Sequence, residues 1–502
     1  MKEWTATELQ AAYARGETTP LEICTEYLER IREMDKGESD INAVIEVNPD
    51  ALELAQQRTR ELGDGTQRGL LHGVPVMLKD NIDTADAMKT TAGSLALMDA
   101  PRPADAPLVK RLREEGAILL AKTNLSEWAN FRSTSSSSGW SSRGGQTRNP
   151  YVLDRTPCGS SSGSGAAVAA NLAVMAVGTE TDGSVTCPSA HGSLVGIKPT
   201  LGLVSRTGIV PISASQDTAG PMARTVRDAA LLLQAMSGTD ATDPATKEAA
   251  ELVPESARDL LRHLTTDFIR GKRIGVARNR SDVHRDITPL FEDALEALRR
   301  AGAVIVDPVE MPEFSEAGTH ELTVLRYEFR QGLAEYFARR GGSIRAIEDV
   351  IAFNRDQAER VMPFFGQEHM EAAADCGPLT DECYLEAVRE SRRITGPAGI
   401  QAVLGEHRLD AIVAPTNGPA WLIDHVNGDS YTGGSMSTGP AVFGSPHITV
   451  PMGYVRRLPV GLSFIADRGQ DADLLGVAYG YEQAHPVRRP PQFVSSLGLL
   501  EV

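Results

Sequence analysis

The chain has 502 residues, of which 41% are hydrophobic and 23% are charged, a composition typical of a soluble globular protein with a sizeable core. By length it can hold two or three domains, although large α/β enzymes often fold as one. The formal net charge of −17 argues against a nucleic-acid partner, because contacts to phosphates need clustered Lys and Arg.

Neither a targeting segment nor a membrane span is predicted. The N-terminal stretch MKEWTATELQ has no apolar core region, so we expect no secretory signal and a cytoplasmic location. The longest apolar run, around 166–177, is too short to cross a membrane. The cysteines show no CxxC spacing, which favours neither a metal site nor a disulfide framework. We interpret Cys158 and Cys187 as small buried hydrophobes and leave a neighbouring nucleophile open.

The first 65 residues read as helices that cover the core. Thr5 and Glu8 form a capping box, and Thr19-Pro20 is an N-cap followed by a first-turn proline. We attach no chemistry to this segment.

An apolar strand in 73–81 ends at Lys79. Most lysines at such a point are surface residues that begin a loop. Here the strand reads as buried, and Asp80 is expected on its opposite face, where it does not neutralise the lysine. A desolvated lysine has a lowered pKa and becomes a usable base near neutral pH.

A helix over 108–116 and a strand over 117–121 follow, in a rhythm typical of an α/β sheet. The strand ends at Lys122-Thr123-Asn124, the kind of position where open α/β sheets bind ligands. Trp128 and Phe131 come next, and we interpret them equally as core residues or as the wall of a pocket.

The segment from Cys158 to Pro188 carries most of the chemical signal. A Gly/Ser run over 159–165 leads into a predicted helix over 166–173 and a buried strand over 174–178. The helix runs out about 16 Å and the strand returns about 20 Å, which can bring Ser160 and Ser184 to one sheet edge.

Three simpler interpretations of the Gly/Ser run remain. Such a run is commonly a flexible linker. The spacing Gly159-x-Ser161-x-Gly163 matches a nucleophile elbow, but the preceding residues 154–157 cannot form the strand that an elbow requires. No phosphate-binding glycine motif fits the segment.

The remaining chain resumes the α/β alternation. A helix is predicted over 225–236, strands over 409–415, 447–451 and 459–467, and a mostly helical, charged region over roughly 315–405. We interpret that region as a substrate-side lid or wall. The whole predicts an α/β fold in one domain spanning 1–502, with 1–65 packed on it.

A Ser-His-Asp site is poorly supported. His72 and His191 are the histidines near the relevant segments, and both are interpreted as structural. No lysine has a serine three residues before it, which excludes a Ser-x-x-Lys motif. What remains is Lys79 acting on one serine that relays to another.

Several segments, in order, resemble the amidase signature family: GVPVMLKDN, CGSSSGSGAAVAA, GTETDGS, GIKPTLGLVSRTGIVP and SQDTAGPMAR. The resemblance is specific over about 70–237 and weaker over most of the rest. Within the family the chain is most similar to peptide amidases, through KTNLSEWANFR and RGGQTRNPY. The resemblance implies a central mixed β-sheet covered by helices on both faces.

The resemblance also implies site roles. Ser184 becomes the nucleophile, Ser160 a bridging serine held by a cis peptide, and Lys79 the base. The oxyanion hole would be the backbone N–H groups of Thr181, Asp182, Gly183 and Ser184. Expected substrate-binding residues are Trp128, Ala129, Asn130, Phe131, Ser161 and Trp421. Many members have Gly-Gly before the nucleophile, whereas Asp182 here places a carboxylate beside the oxyanion hole, where it would oppose negative charge unless turned away or contacting a substrate amide.

The implied activity is hydrolysis of a carboxamide through an acyl-enzyme, on C-terminal peptide amides or other small amides. Alternatives are an aryl acylamidase or carbamate-cleaving enzyme, the glutamine-hydrolysing component of a glutamyl-tRNA amidotransferase, and an inactive binding protein. No metal or organic cofactor is expected. The expected partner is a small-molecule or short-peptide amide, with no nucleic acid or membrane, in a monomer or homodimer.

Overall fold

The structure is a computed structural model that describes residues 1–37, 39–253, 258–431 and 433–498. Its strands are β1 Val44–Val47, β2 Pro75–Lys79, β3 Ile118–Thr123, β4 Trp140–Ser141, β5 Gly145–Gln146, β6 Met175–Glu180, β7 Val195–Lys198, β8 Thr218–Ala223, β9 Arg273–Ala277, β10 Val304–Val309, β11 Ala411–Pro415, β12 His447–Val455 and β13 Leu458–Ile465.

Eleven strands form one mixed sheet in the order β1-β3-β2-β6-β8-β7-β12-β13-β11-β9-β10. β2 lies between β3 and β6 and is parallel to both, while β8 runs antiparallel to β6 and β7. β4 and β5 form a separate two-stranded hairpin. Because β2, β3 and β6 are parallel, their carboxyl ends meet at one edge of the sheet, which is where ligands bind in open α/β sheets.

Helices pack against this sheet. They are α1 Ala6–Ala14, α2 Pro20–Arg30, α3 Ala51–Gly63, α4 Pro107–Glu114, α5 Ser162–Ala169, α6 Thr186–His191, α7 Val226–Met236, α8 Pro244–Leu252, α9 Thr288–Arg300, α10 Ser315–Arg340, α11 Ile347–Asp356, α12 Ala358–Val361, α13 Glu368–Ala374, α14 Glu382–Thr395, α15 Gln401–His407, α16 Thr438–Phe443 and α17 Asp471–Ala484. The predicted α/β fold, a large mixed sheet with packed helices, is confirmed.

The N-terminal segment differs from the prediction of helices alone. Residues 44–47 form a strand that pairs antiparallel with β3 at the edge of the sheet. The buried Asp35 carboxylate fixes its entry by accepting hydrogen bonds from the backbone N–H groups of Ala43 (2.6 Å) and Val44 (3.1 Å). A four-residue strand is too short to show a clear alternation in the sequence, which explains the difference.

The region after β10 is built from α10 to α15. The longest of these helices, α10, buries Phe329, Leu333 and Phe337 in a cluster separate from the main core. Among the residues that the structure describes, no helix combines the length and apolar character needed to cross a bilayer.

Candidate active site

Lys79 ends β2 with its ammonium group inside the protein. The side chain is fully buried, and Nζ lies 2.7 Å from Ser160 Oγ, 3.1 Å from Ser161 Oγ and 2.9 Å from Thr179 Oγ1. The Thr179 carbonyl is a fourth neighbour at 3.2 Å. Within the described part of the chain, no carboxylate lies within ion-pair distance of this lysine.

Burial without a paired carboxylate lowers the pKa of Lys79 to about 7, although the more distant Asp217 and Glu180 carboxylates act in the opposite direction. An ammonium loses its hydration when it is buried, so the neutral amine is favoured. A lysine with a pKa near neutrality can accept a proton at physiological pH. This matches the expectation drawn from the apolar strand in the sequence.

The Gly/Ser segment is folded rather than flexible. Ser160 is fully buried, and its peptide bond to Gly159 is cis. A Cβ on Gly159 would lie 2.3 Å from Ser126 Oγ, so only glycine fits this approach. The backbone then enters α5 at Ser162. The linker interpretation is therefore wrong.

Ser184 lies in the turn between β6 and α6. The buried Glu180 carboxylate holds this turn by accepting hydrogen bonds from the N–H groups of Val185 (2.7 Å) and Thr186 (2.9 Å). Gly183, immediately before the serine, has φ +76°, a conformation that favours glycine. The Ser161 N–H donates to the Ser184 carbonyl at 3.1 Å, so the two serine segments do meet at one sheet edge.

Free hydrogen-bonding groups converge on this turn. Across the described residues, the backbone N–H groups of 181–184 have no acceptor, and the Ser184 hydroxyl, which is 7% exposed, has no partner. Buried backbone N–H groups are nearly always paired in folded proteins. Four consecutive unpaired donors beside a hydroxyl can bind an oxygen atom that carries negative charge.

Sequence reasoning missed the groups that support this turn. The Asp217 carboxylate accepts hydrogen bonds from Thr181 Oγ1 (2.6 Å) and from the N–H groups of Ile212 and Ser213. Burial raises the pKa of Asp217 to about 6. Thr179 also went unnoticed, although its place in GTETDGS, five residues before Ser184, was a usable signal.

A pocket of about 340 Å³ opens at this edge of the sheet. Gly159 and Gly183, the neighbours of the two serines, lie in its wall. The other lining residues are Asn130, Ser138, Cys158, Asp182, Thr186, Cys187, Thr416, Asn417, Trp421, Asp429, Tyr431, Ser435, Ser437 and Thr438. No lysine or arginine is among them, so the lining carries only negative formal charge.

The six residues expected to bind substrate lie in different places. Asn130 and Trp421 line the pocket. Trp128 and Phe131 are buried in the cluster formed with α10, where Phe131 meets Phe329 edge-on at 5.2 Å, and Ala129 packs against that cluster. The Ser161 hydroxyl is engaged inside the protein with Lys79 and Thr179.

The two cysteines of this segment form a disulfide, so the expectation of unbridged buried cysteines was wrong. Cys158 and Cys187 are bonded across 29 residues, with their Cα atoms 6.0 Å apart. The same chain reversal that brings the serines together brings these neighbours together. The bonded sulfurs lie within 4.8 Å of a ring nitrogen of His191, but a metal would require the thiolates that the bond consumes.

Neither histidine takes part in the serine network. His191 Nε2 lies 3.0 Å from the Gly418 carbonyl, and burial lowers the pKa of this imidazole to about 4. His72 contacts the backbone of Arg58 and Arg68. The structure thus holds a Lys-Ser pair and a second free serine hydroxyl at one pocket.

Comparisons with known proteins agree with this geometry. The family model described as Amidase matches residues 22–475. The structure of native peptide amidase from Stenotrophomonas maltophilia is 50% identical, with a TM-score of 0.93, and the match covers 97% of this chain and 98% of that one.

Two sequence relatives are similar over nearly their full lengths. A probable amidase of Arabidopsis thaliana is 40% identical over 99% of this chain and 92% of its own length. The A-type component of the glutamyl-tRNA(Gln) amidotransferase of Halorhodospira halophila is 34% identical, over 96% of this chain and 97% of its own length. The chain belongs to the amidase signature family and is an amide-hydrolysing enzyme.

Proposed function

We propose that the protein cleaves the C–N bond of primary carboxamides, in particular C-terminal peptide amides, through an acyl-enzyme on Ser184. Lys79 is the base and Ser160 carries protons between the lysine and the nucleophile. The observation that carries this proposal is the buried Lys79 amine 2.7 Å from Ser160 Oγ, with no carboxylate among the described residues close enough to hold its proton.

In the first step Ser184 Oγ attacks the amide carbonyl. Its proton passes to Ser160, whose own proton passes to the neutral Lys79 amine. The carbonyl oxygen gains negative charge, which the unpaired N–H groups of 181–184 stabilise. The lysine then returns a proton through Ser160 to the leaving nitrogen, the C–N bond breaks, and ammonia departs.

In the second step water attacks the acyl-enzyme. The same relay takes a proton from the water and returns one to Ser184 Oγ, which regenerates the enzyme and releases a carboxylic acid. Each proton transfer is between groups of suitable acidity, because the Lys79 pKa of about 7 lies near the operating pH. No step requires a metal or an organic cofactor.

The proposal for peptide amides rests on the similarity to the S. maltophilia peptide amidase and on the pocket. The pocket lining is rich in hydrogen-bonding groups and contains the Trp421 and Tyr431 rings, which meet edge-on at 5.6 Å. An amide-capped peptide offers both N–H donors and apolar side chains to such a lining. The aromatic pair also keeps aryl acylamidase activity as a second candidate.

The test is ammonia release from C-terminally amidated dipeptides, with free glutamine and an anilide assayed alongside. We expect release from the peptide amides and a loss of about 10⁴-fold or more in kcat for Ser184→Ala. A serine-directed covalent probe should label the native protein and not the variant. Normal turnover by Ser184→Ala would refute the mechanism.

The substrate panel separates the candidates. Cleavage of the anilide without cleavage of peptide amides would favour an aryl acylamidase. Activity on glutamine that appears only with co-purifying proteins would favour a role in an amidotransferase complex.

A further inference from the structure

The pocket holds oxygen atoms that have no hydrogen-bond donor. Asp182 Oδ1 is buried and has no partner, while Asp182 Oδ2 accepts a hydrogen bond from Thr438 Oγ1 at 2.7 Å. The Ser437 hydroxyl lies near this carboxylate but shares a 2.7 Å hydrogen bond with the Ser435 hydroxyl. Asn130 Oδ1 is also buried and unpartnered, and both Asp182 and Asn130 line the pocket beside the serines. A buried carboxylate oxygen without a donor is costly, so a bound ligand that supplies an N–H would stabilise it.

No cation in the pocket wall compensates Asp182. The lining contains no lysine or arginine, and its other carboxylate, Asp429, is already satisfied by Trp421 Nε1 and by the Ser138 N–H, both at 3.0 Å. A further carboxyl group near Asp182, that of Glu321, accepts a hydrogen bond from Gln216 at 2.7 Å. The surroundings of Asp182 therefore need positive charge or donors from the substrate.

The donor that Asp182 lacks must come from a particular part of the substrate. In the mechanism above, the nitrogen of the scissile carboxamide faces Ser160, which returns a proton to it. It is therefore committed to the relay. The next N–H along a peptide amide is the one on the α-carbon beside the scissile carbonyl.

We propose that the Asp182 carboxylate accepts a hydrogen bond from the N–H on the substrate's α-carbon, and that this contact selects amides of acylated amino acids and peptides over simple aliphatic amides. The inference rests on the proposed function and names its substrate class. It also explains how a carboxylate is tolerated beside the oxyanion turn, since the substrate's N–H dipole lies between the carboxylate and the reacting carbonyl.

The test compares three primary amides that share a phenyl ring. N-acetylphenylalaninamide has the N–H, its N-methyl derivative lacks only that hydrogen, and 3-phenylpropanamide lacks the whole acylamino group. We expect the native enzyme to favour the first over each of the others by about 10- to 100-fold in kcat/KM, the range of a hydrogen bond to a charged group.

The variants then assign this preference to a residue. In Asp182→Ala the preference should fall at least about tenfold, and Asp182→Asn, which keeps an oxygen without charge, should give an intermediate value. Asp429→Asn is the matched control, because both oxygens of that carboxylate are already engaged, and it should keep the preference within about twofold.

Two outcomes would overturn the inference alone: an equal loss on all three amides in Asp182→Ala, which would indicate a role in shaping the turn, or an equal loss of preference in Asp429→Asn. A native enzyme that hydrolyses none of the three amides would overturn the proposed function and this inference together.

Discussion

Two buried lysines at neighbouring strand ends show what makes a lysine a base. Lys79 ends β2 and Lys122 lies in β3, where it pairs in register with Leu78, and both side chains are fully buried. Burial lowers the pKa of both. Their neighbours differ: Lys79 meets three hydroxyl groups, whereas Lys122 donates to the Ile82 carbonyl and to Thr90 Oγ1.

The charges around the two lysines differ as well. Three carboxylates, those of Asp80, Asp83 and Asp86, act to raise the pKa of Lys122 against burial. Carbonyl and carboxylate neighbours hold a proton on the lysine, while a hydroxyl group can pass one on. Burial alone therefore does not mark a catalytic base; the hydroxyl neighbours distinguish Lys79.

The largest expected effect is that of Lys79→Met. The variant keeps an apolar stem of similar length and removes the base, so we expect kcat on a peptide amide to fall about 10²- to 10⁴-fold. Steady-state ammonia release measures this loss, and circular dichroism checks that the variant folds. A loss of less than about tenfold in a folded variant would remove Lys79 from the mechanism.

The pH dependence of kcat/KM sharpens the comparison next. Only the neutral amine of Lys79 can accept a proton, so activity should rise with pH through an apparent pKa of about 7. Below that value kcat/KM should fall about tenfold per pH unit. Rates with one peptide amide across pH 5 to 9 give the profile, and a flat profile from pH 5 upward would contradict a titrating lysine.

The smallest effect on activity is expected for Lys122→Met. This change leaves the Ile82 carbonyl and Thr90 hydroxyl without their buried donor, which should lower the free energy of unfolding by about 1–3 kcal/mol. Urea denaturation measures that change. We expect kcat of the folded variant to stay within about threefold of the native value. A loss comparable with that of Lys79→Met would show that the two lysines are not functionally distinct.

Much of the fold was predictable because the buried strands and their helices leave strong local patterns. The apolar run before Lys79 and the helix–strand unit over 166–178 correspond to β2, α5 and β6, with boundaries shifted by a few residues. The approach of the two serine segments followed from the lengths of α5 and β6. β1 was missed because its stability comes from pairing with β3 and from Asp35, which no local pattern shows.

The rest of the site depends on contacts between distant segments. Asp217 reaches Thr181, and Thr438 reaches Asp182 from 256 residues away, so neither contact leaves a local signal. Trp128 and Phe131 looked like a pocket wall, but α10 covers them. The disulfide had no recognisable spacing, although the reversal predicted for the serines also applied to Cys158 and Cys187.

That disulfide has a consequence for how the site assembles. In polymer terms, Cys158 and Cys187 close a ring that contains both serines, α5 and β6. A cross-link over a loop of this length removes about 3–4 kcal/mol of chain entropy from the unfolded state in a loop-closure model. It also keeps the effective concentration of one serine segment near the other high even when packing is lost. Assembly of the site then reduces to one remaining encounter, in which the strand carrying Lys79 docks against a ring that already holds both hydroxyl groups.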